Sequence, residues 1–456
     1  MLKRMLKDEN EDTSVLDTWY IEDSNAVPSH YVLQPISSIL RIPKLQEADA
    51  STWWATEEKM QLLLRKAARL CYERGLLSHE AMHNYYMSVT EREVIHGILK
   101  AKNPAEHCLC YVRHINNIAI SQTRTASKFV DITHTHLLSN LRDERVPAKL
   151  SIQNIRRSTV EWVGRDGIDA QFQADYIRKF CSDFYDGITR MVDAAMAKHA
   201  HQRDPLFAEV LQHLNTVQQV SAAFFGREEQ LEIARRYVLS TSNIPIILQG
   251  ENGCGKTSTL ARIARAVRDW LGAAVNPVVV VRFLGTSPDS SSIAPLLTSV
   301  CDKIIIFDSL DLLSRIDGAH ELLWFPPTLP ANVKMFCSIT PGASGIGTTL
   351  RRLVEDDCQY MDVPSLGMEI AMEVIREWLK SSARTISTRQ ADLVTRALAK
   401  CTLPLFVKLI FATVARWKSY LRSQDTILFQ SVQESIHALL QRTEGQHGKL
   451  LVSHAL

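Results

Sequence analysis

The stretch from Gly250 to Thr257, GENGCGKT, has the residue types and spacing of a phosphate-binding loop. A glycine, four further residues and then Gly255, Lys256 and Thr257 form the pattern GxxxxGK[ST]. Glycines let backbone N–H groups turn toward phosphate oxygens without a Cβ in the way. A lysine ammonium pairs with the β- and γ-phosphates, and a threonine hydroxyl coordinates Mg²⁺. The pattern therefore predicts binding of a nucleoside triphosphate.

The loop as a whole is expected to surround the phosphates. We predict nucleotide contacts from Gly250, Glu251, Asn252, Gly253, Cys254, Gly255, Lys256, Thr257 and Ser258. Lys256 is also a predicted catalytic residue, and Thr257 is a predicted Mg²⁺ ligand. The Cys254 thiol is not needed for a cradle made of backbone N–H groups, so we interpret Cys254 as an incidental loop residue.

Two later segments place polar groups after apolar runs. KIIIFDSLDLL ends its run at Asp308, which fits an aspartate that holds Mg²⁺ through the water shell of the metal. Asp311 follows and could orient a water, so both carboxylates are predicted catalytic residues. NVKMFCSIT ends in Ser338 and Thr340, and Ser338 is predicted to lie near the γ-phosphate. A strand followed by a Ser/Asp turn is the alternative interpretation of the first segment.

The elements that must position these groups can be identified from their patterns. The apolar runs IPIILQ, PVVVVRFLG, KIIIF and NVKMFCSIT predict four buried strands, and KTSTLARIARAVRDWL has one apolar stripe and predicts an amphipathic helix. The glycine loop thus lies between a strand and a helix, as a P-loop requires. The predicted fold is an α/β P-loop NTPase with a doubly wound parallel sheet, flanked by mainly helical regions.

Composition excludes several classes of protein. The chain has 456 residues, 46% hydrophobic and 22% charged, which is typical of a globular protein. A net charge of +2 with only short basic pairs leads us to expect no nucleic-acid partner. No apolar run reaches the roughly 18 residues that span a bilayer, so we expect no membrane insertion. Nine scattered cysteines without CxxC spacing, and no secretory signal, favour free thiols and a cytoplasmic location.

Changes of pattern along the chain predict five regions. Residues 1–50 are interpreted as an extended or docking segment, and 51–205 as a mainly helical regulatory region. Residues 221–345 are predicted to form the nucleotide-binding domain, and 365–440 a helical lid. Residues 441–456 are predicted to begin a further segment, which the family resemblance below makes a winged helix.

Several segments together resemble a known family. FFGREEQLEIARRYV, GENGCGKTSTLARIA, IIIFDSLDLLS and PLFVKLIFATVARWKSY are similar to the NACHT ATPase module of the STAND class. The similarity is greatest to the branch of NACHT and WD-repeat proteins and more distant to nephrocystin-3-like and telomerase-associated proteins. Members of that branch usually begin with a further domain and end with WD repeats, so the chain looks truncated at both ends.

The resemblance implies a function and further site residues. STAND proteins are switches that are closed with ADP and open, and often oligomeric, with ATP, so it implies ATP/ADP and Mg²⁺ as cofactors. It implies protein partners, a nucleotide-dependent homo-oligomer, and a role in signalling or in assembling protein complexes. It also places Gly226 and Arg227 near the base and ribose, and Pro404 near the adenine.

Departures from the family pattern leave alternatives open. Leu312 stands where an acidic residue is frequent, no arginine follows the SIT segment, and the crossover before KIIIF is short. These features favour slow or absent hydrolysis, which is compatible with a weak ATPase activity. The alternatives are an interaction scaffold with a degraded NTPase site and, second, an AAA-like ATPase motor.

Overall fold

The computed structural model describes residues 1–39, 44, 50–117, 135–162, 169–198, 205–272, 277–286, 289–292, 304–330, 333–342, 345–422 and 425–455. It divides into two compact units: unit 1 is Met1–Thr18 with Ile36–Arg203, and unit 2 is Trp19–Pro35 with Asp204–Leu456. The predicted segment 1–50 therefore contributes residues to both units. Part of the short crossover, residues 293–303, lies outside the described residues.

Unit 1 combines helices with a small parallel strand pair. Its helices are α1 (Leu2–Asp8), α2 (Ser14–Trp19, which ends at the unit boundary), α3 (Ile36–Ile39), α4 (Ala50–Glu73), α5 (His79–His83), α6 (Val89–Val94), α7 (Thr135–Asn140), α8 (Val146–Lys149) and α9 (Ala174–Lys198). Strands β3 (Cys110–Asn116) and β4 (Ile155–Glu161) pair in parallel. Asn154 ties this pair together, because its side-chain amide donates to the carbonyls of Ala105 and Cys108 at 2.7 and 2.8 Å.

Unit 2 contains a hairpin, the main sheet and its helices. The hairpin pairs β1 (Tyr20–Asp23) with β2 (His30–Leu33) in antiparallel fashion. The main strands are β5 (Ile246–Gln249), β6 (Val279–Phe283), β7 (Ile304–Asp308), β8 (Lys334–Ile339) and β9 (Tyr360–Asp362). The helices are α10 (Pro205–Ser221), α11 (Glu228–Leu239), α12 (Lys256–Leu271), α13 (Ile346–Leu353), α14 (Met368–Ser381), α15 (Thr388–Leu398), α16 (Pro404–Val414), α17 (Val432–His447) and α18 (Lys449–Ala455).

The main sheet has five parallel strands in the order β6-β7-β8-β5-β9. Strands β5 to β8 and helix α12 fall where their patterns predict them. From β5 the chain crosses to the edge strand β6, returns through β7 and β8, and then passes to β9 on the other side of β5, so strands lie on both sides of β5 as in a doubly wound sheet. The predicted fold class is therefore confirmed. Strand β9 lies beyond the span 221–345 assigned to the nucleotide-binding domain.

Alternation along β5 explains why helices cover both faces of the sheet. Ile246 and Leu248 belong to the core shared with α11 and α12, whereas Ile247 belongs to the core that includes Ile346 and Leu350 of α13. Successive side chains of a strand point to opposite faces, so an unbroken apolar run must be covered on both sides. Burial of this run positions its carboxyl end, where the glycine loop begins.

A separate helical core follows the sheet, in the segment 365–440 that the sequence predicts to be a lid, and this segment is called the lid below. Helices α14, α15 and α16 pack around Ile375, Leu398, Phe406 and Ile410, which are almost fully buried. Helix α15 begins with a capping box, since Ser387 and Gln390 exchange side-chain and backbone hydrogen bonds.

None of the helices in the described ranges combines the length and the hydropathy that a membrane span requires.

Candidate functional site

The glycine loop joins β5 to α12 in a conformation that requires glycine. Gly253 has φ +83° and Gly255 has φ +98°, in the left-handed region that other residues rarely adopt. Gly255 is the residue before the first turn of α12. The positive end of the helix dipole thus lies at the loop, where it favours an anion. The local backbone matches the predicted phosphate cradle.

Lys256 points its ammonium group along the inside of this loop. Nζ donates to the carbonyl oxygens of Gly250 and Glu251 at 2.7 and 3.2 Å, and to Thr340 Oγ1 at 3.3 Å. All three partners are neutral oxygens, and the residue is 7% exposed. A buried cation held by neutral dipoles gains most from an anion placed beside it. This geometry suits a lysine that neutralises phosphate charge.

Asp308 lies at the end of β7, directly behind Thr257. Thr257 Oγ1 donates to Asp308 Oδ2 at 2.7 Å, and Ser338 Oγ donates to Oδ1 at 2.5 Å. Burial raises the pKa of the Asp308 carboxyl, although the hydrogen bonds from Ser338 and Thr257 act in the opposite direction. Ser338 is fully buried, so it supports Asp308 from below and is not exposed toward the cavity.

Thr340 connects two parts of the site that come from separate segments of the sequence, the glycine loop and the acid after β7. Its hydroxyl donates to Asn252 Oδ1 at 2.9 Å and accepts from Lys256, while its backbone N–H donates to Asp311 Oδ1 at 3.2 Å. The end of β8 is therefore connected to the glycine loop and to the acid after β7. The polar residue that borders the cavity at this end is Thr340, directly after β8, and not Ser338 within the strand.

A cavity of about 660 Å³ opens in front of these groups. Its phosphate end is lined by predicted residues: Asn252, Gly253, Gly255, Lys256, Thr257, Ser258 and Asp311. Pro404 and Arg227 also lie on its wall. The Leu405 N–H donates to the Gly253 carbonyl at 3.2 Å, so the start of α16 contacts the loop directly. The size falls within the usual range for small-ligand sites.

The other predicted residues support the wall from behind. Arg227 Nη2 donates to the carbonyls of Cys254 and Pro364 at 2.8 and 2.5 Å, which ties the loop to the segment before the lid. Burial lowers the pKa of Arg227. Gly226 packs against Ile370 of the lid. Cys254 is fully buried in the sheet core, and burial raises the pKa of its thiol, which makes it unreactive.

The opposite end of the cavity is mostly apolar, although Lys408 also lies on its wall, and the sequence-based prediction of the site missed it. Several lining residues that the sequence did not predict lie there, among them Phe224, Phe225, Leu366, Trp378 and Phe411. Trp378 and Phe411 meet edge to face with their ring centroids 5.3 Å apart. These aromatic residues come from separate segments without a shared motif. Only the pair Phe224 and Phe225 could have been noticed in the sequence, because it directly precedes the glycine turn before α11.

The donor set fits Mg²⁺ at the phosphate end. Thr257 and Asp308 present oxygen ligands in mutual contact, and hard cations such as Mg²⁺ prefer oxygen. Proteins usually hold this ion through one or two carboxylates plus substrate phosphates, which matches one buried aspartate beside a phosphate loop. Within the part of the chain that the structure describes, no cluster of three histidine, cysteine or carboxylate side chains could hold a metal by itself.

The chain is similar to two NACHT and WD-repeat proteins over nearly its whole length. Human NACHT and WD repeat domain-containing protein 2 is 29% identical to the chain, over 98% of the chain and 29% of the relative. Human NACHT domain- and WD repeat-containing protein 1 is 25% identical, over 98% of the chain and 31% of the relative. The resemblance to NACHT and WD-repeat proteins is confirmed. The chain spans less than a third of the length of these relatives. No protein-family model matches.

Similar solved structures are more distant. A RuvB mutant from Thermotoga maritima is 15% identical, with a TM-score of 0.32 over 47% of this chain and 71% of that one. NtrX from Brucella abortus in complex with ADP is 14% identical, with a TM-score of 0.32 over 65% and 78%. Such low scores add nothing to the sheet topology. The glycine loop, the parallel sheet and the NACHT relatives together identify a nucleotide-binding domain of the P-loop NTPase type.

Proposed function

We propose that this protein is a STAND-type molecular switch that binds ATP or ADP with Mg²⁺ and hydrolyses ATP slowly or not at all. The network of Lys256, Thr257, Asp308 and Thr340 at the mouth of the glycine loop carries the proposal. Lys256 would neutralise the β- and γ-phosphates, and Thr257 with Asp308 would hold the metal. Arg227 and Pro404 would fix the loop and the base end of the cavity.

The contact between loop and lid supports a switch. A switch needs contacts that differ between two nucleotides. The Gly253 carbonyl and the Lys256 ammonium belong to the same loop, and the first accepts from Leu405 of the lid while the second reaches Thr340. A change at the γ-phosphate would first alter the positions of Lys256 and Thr340. It would then reach the lid through the loop backbone between Lys256 and Gly253.

Slow hydrolysis follows from the same wall of the cavity. Asp311 accepts from the Thr340 N–H, which holds its carboxylate against the end of β8, and Leu312 beside it is apolar and about half exposed. A general base must reach the attacking water, and Leu312 offers none. We propose that the switch acts in the cytoplasm in signalling or in assembly of protein complexes, with protein partners and a nucleotide-dependent homo-oligomer.

The test is the nucleotide that the protein carries and its fate. The full chain is purified and denatured, and the released nucleotide is identified by ion-exchange chromatography, followed by steady-state ATP turnover. Near-stoichiometric ADP with turnover well below the usual enzyme median of about 10 s⁻¹ is expected. A folded protein that carries no nucleotide and takes up no Mg·ATP would favour the scaffold. Fast turnover by an assembled ring would favour the motor.

A further inference from the structure

The hairpin of β1 and β2 is built into the lid, although the two lie far apart in the chain. The Val27 N–H donates to the Ala383 carbonyl at 2.9 Å, and the Thr385 N–H donates to the Asn25 carbonyl at 2.7 Å. The Ser24 N–H donates to Ser419 Oγ at 3.0 Å, across 395 positions of sequence. The hairpin thus adds backbone pairing to the loop that follows α14.

A buried ionic cluster fixes this contact. Asp23 is fully buried, and Oδ1 accepts from the N–H groups of Ser419 and Asn25 at 3.0 and 3.2 Å. Oδ2 lies 3.0 Å from Arg384 Nη1 and 3.4 Å from Lys418 Nζ. Burial alone would raise the pKa of Asp23, but the Ser419 N–H and the Arg384 guanidinium outweigh it and lower the pKa.

A second, neutral contact lies beside the ionic cluster. Asn25 Nδ2 donates to Gln390 Oε1 at 2.9 Å and to the Trp417 carbonyl at 3.0 Å. Gln390 is fully buried and closes the capping box of α15, and its Nε2 donates to the Lys418 carbonyl at 3.0 Å. The side chain of Asn25 is therefore part of the hydrogen bonding that ends one lid segment and starts another.

The path of the chain gives this contact a consequence. Unit 1 continues from both ends of the hairpin, through Thr18 on one side and Ile36 on the other. It is joined a third time to unit 2 before α10, whose Val217 packs into the sheet core with α12. Unit 1 is thus covalently continuous with the hairpin at two points, and through the hairpin's non-covalent contacts with the lid, while the third connection leads to the sheet.

We propose that the hairpin Trp19–Pro35 is a permanent part of the lid and transmits nucleotide-dependent displacement of the lid to unit 1. This rests on the proposed switch. A displacement of the lid relative to the sheet changes the distance between the attachment points, and unit 1 must follow because the buried hairpin cannot detach at low cost. The N-terminal region then reports which nucleotide is bound.

Hydrogen–deuterium exchange of the full chain tests this, without nucleotide and with Mg·ADP or Mg·ATP. The variants are Asp23→Ala and Asn25→Ala, of which the second leaves no unpaired buried charge. Glu22→Gln is the matched control, because Glu22 is the neighbouring carboxylate on the same strand, is exposed, and accepts from Ser29 within the hairpin. Exchange is followed in residues 250–260, in 384–421, and in β3 and β4.

In the wild type and in Glu22→Gln, nucleotide should protect 250–260, and exchange in β3 and β4 should differ between ADP and ATP. Asp23→Ala should speed exchange in 384–421 on the order of a hundredfold and abolish the difference in unit 1. Asn25→Ala should weaken both in the same direction. Protection of 250–260 with no difference in unit 1, or a difference that both variants retain, would overturn the transmission alone. No protection of 250–260 in the wild type would overturn the switch itself, and the transmission with it.

Discussion

The two ends of the nucleotide cavity differ in how the chain builds them. At the phosphate end, Lys256, Thr257 and the glycines come from one continuous motif, and two strand ends add Asp308 and Thr340. At the lid end, aromatic and aliphatic side chains come from α10, the loop before α11, α14 and α16, with no motif between them. Charge and backbone geometry define the first end, and packing defines the second.

This difference has a physical origin. Phosphate recognition needs backbone N–H groups, a cation and a metal ligand at fixed spacing, so the residue types are constrained one by one. An apolar wall needs area and shape, which many combinations of Phe, Trp and Leu supply.

Lys256→Ala should abolish nucleotide binding, because it removes the cation that lies among the loop carbonyls. A ligand present at about 1,000 times its Kd stabilises the native state by roughly 4 kcal/mol, and this gain should disappear. Thermal unfolding with and without Mg·ADP measures it. Lys408→Ala is the control, since Lys408 lies on the wall of the same cavity at the lid end. An equal loss in both variants would contradict the contrast between the two ends.

Asp308→Asn should remove the Mg²⁺ dependence of binding. The pKa of Asp308 is raised above its ordinary value of 3.8 by burial, so its carboxylate is protonated at a higher pH than an exposed aspartate. In the wild type, affinity for Mg·ATP should fall as the pH is lowered toward that raised pKa, because protons compete with the metal. Without metal, the folded state is stabilised by the protonated Asp308 carboxyl, so the pH dependence has the opposite sign. This contribution to folding stability is complete below pH 3.8 and is lost as the pH rises through the raised pKa. Nucleotide affinity measured across pH with Mg²⁺ checks the metal role, and the free energy of unfolding measured across pH in EDTA checks the sign. A variant with unchanged Mg²⁺ dependence would exclude Asp308 as the metal residue.

Gly253→Ala should weaken nucleotide binding and lower the unfolding temperature. The added Cβ would lie 2.9 Å from Leu405 Cβ, in addition to the strain of φ +83°. Gly75→Ala carries similar strain at φ +69° but meets nothing within 4 Å, so it separates strain from the loss of the lid contact. The expected destabilisation is about 1–3 kcal/mol for Gly253→Ala and about 1 kcal/mol for Gly75→Ala. Unchanged nucleotide affinity in Gly253→Ala would mean that the loop–lid contact does not shape the site.

Leu312→Glu should increase ATP turnover on the order of tenfold, the smallest of these effects. Leu312 lies on the cavity wall beside Asp311 and is half exposed, so a carboxylate there reaches solvent and the phosphate end. Leu323→Glu places the same charge on an exposed apolar position elsewhere. Turnover measured by phosphate release should rise only in the first variant. No increase would mean that a missing general base does not limit the rate.

The sequence predicts the sheet and the phosphate end well because both rest on local rules. The apolar runs place β5 to β8, and the glycine spacing places Lys256 and Thr257. Ser338 shows the limit of such rules. Ser338 and Thr340 are two positions apart and therefore share a face of the strand, so alternation cannot show which of them borders the cavity. Ser338 lies beneath Asp308 and is fully buried.

The contacts between distant segments could not be predicted. Asp23 reads as an ordinary surface acid in a segment with few patterns, yet it is buried against Arg384 and Ser419. Nothing in the local sequence pairs these residues, because the pairing depends on the tertiary path of the chain. The resemblance to NACHT proteins likewise implied that Arg227 lies near the base and ribose of the nucleotide. It gave no sign of the hydrogen bonds from Arg227 to the Cys254 and Pro364 carbonyls.

The most direct test is calorimetric titration of nucleotide-free full chain with Mg·ADP and, separately, with adenosine. If the phosphate end provides most of the affinity, Mg·ADP binds at one site per chain and adenosine binds at least about a hundredfold more weakly, which corresponds to losing charge-assisted hydrogen bonds to the loop. Equal affinities would show that the apolar end dominates. If the folded protein binds neither ligand, the proposal that it is a nucleotide-operated switch is contradicted.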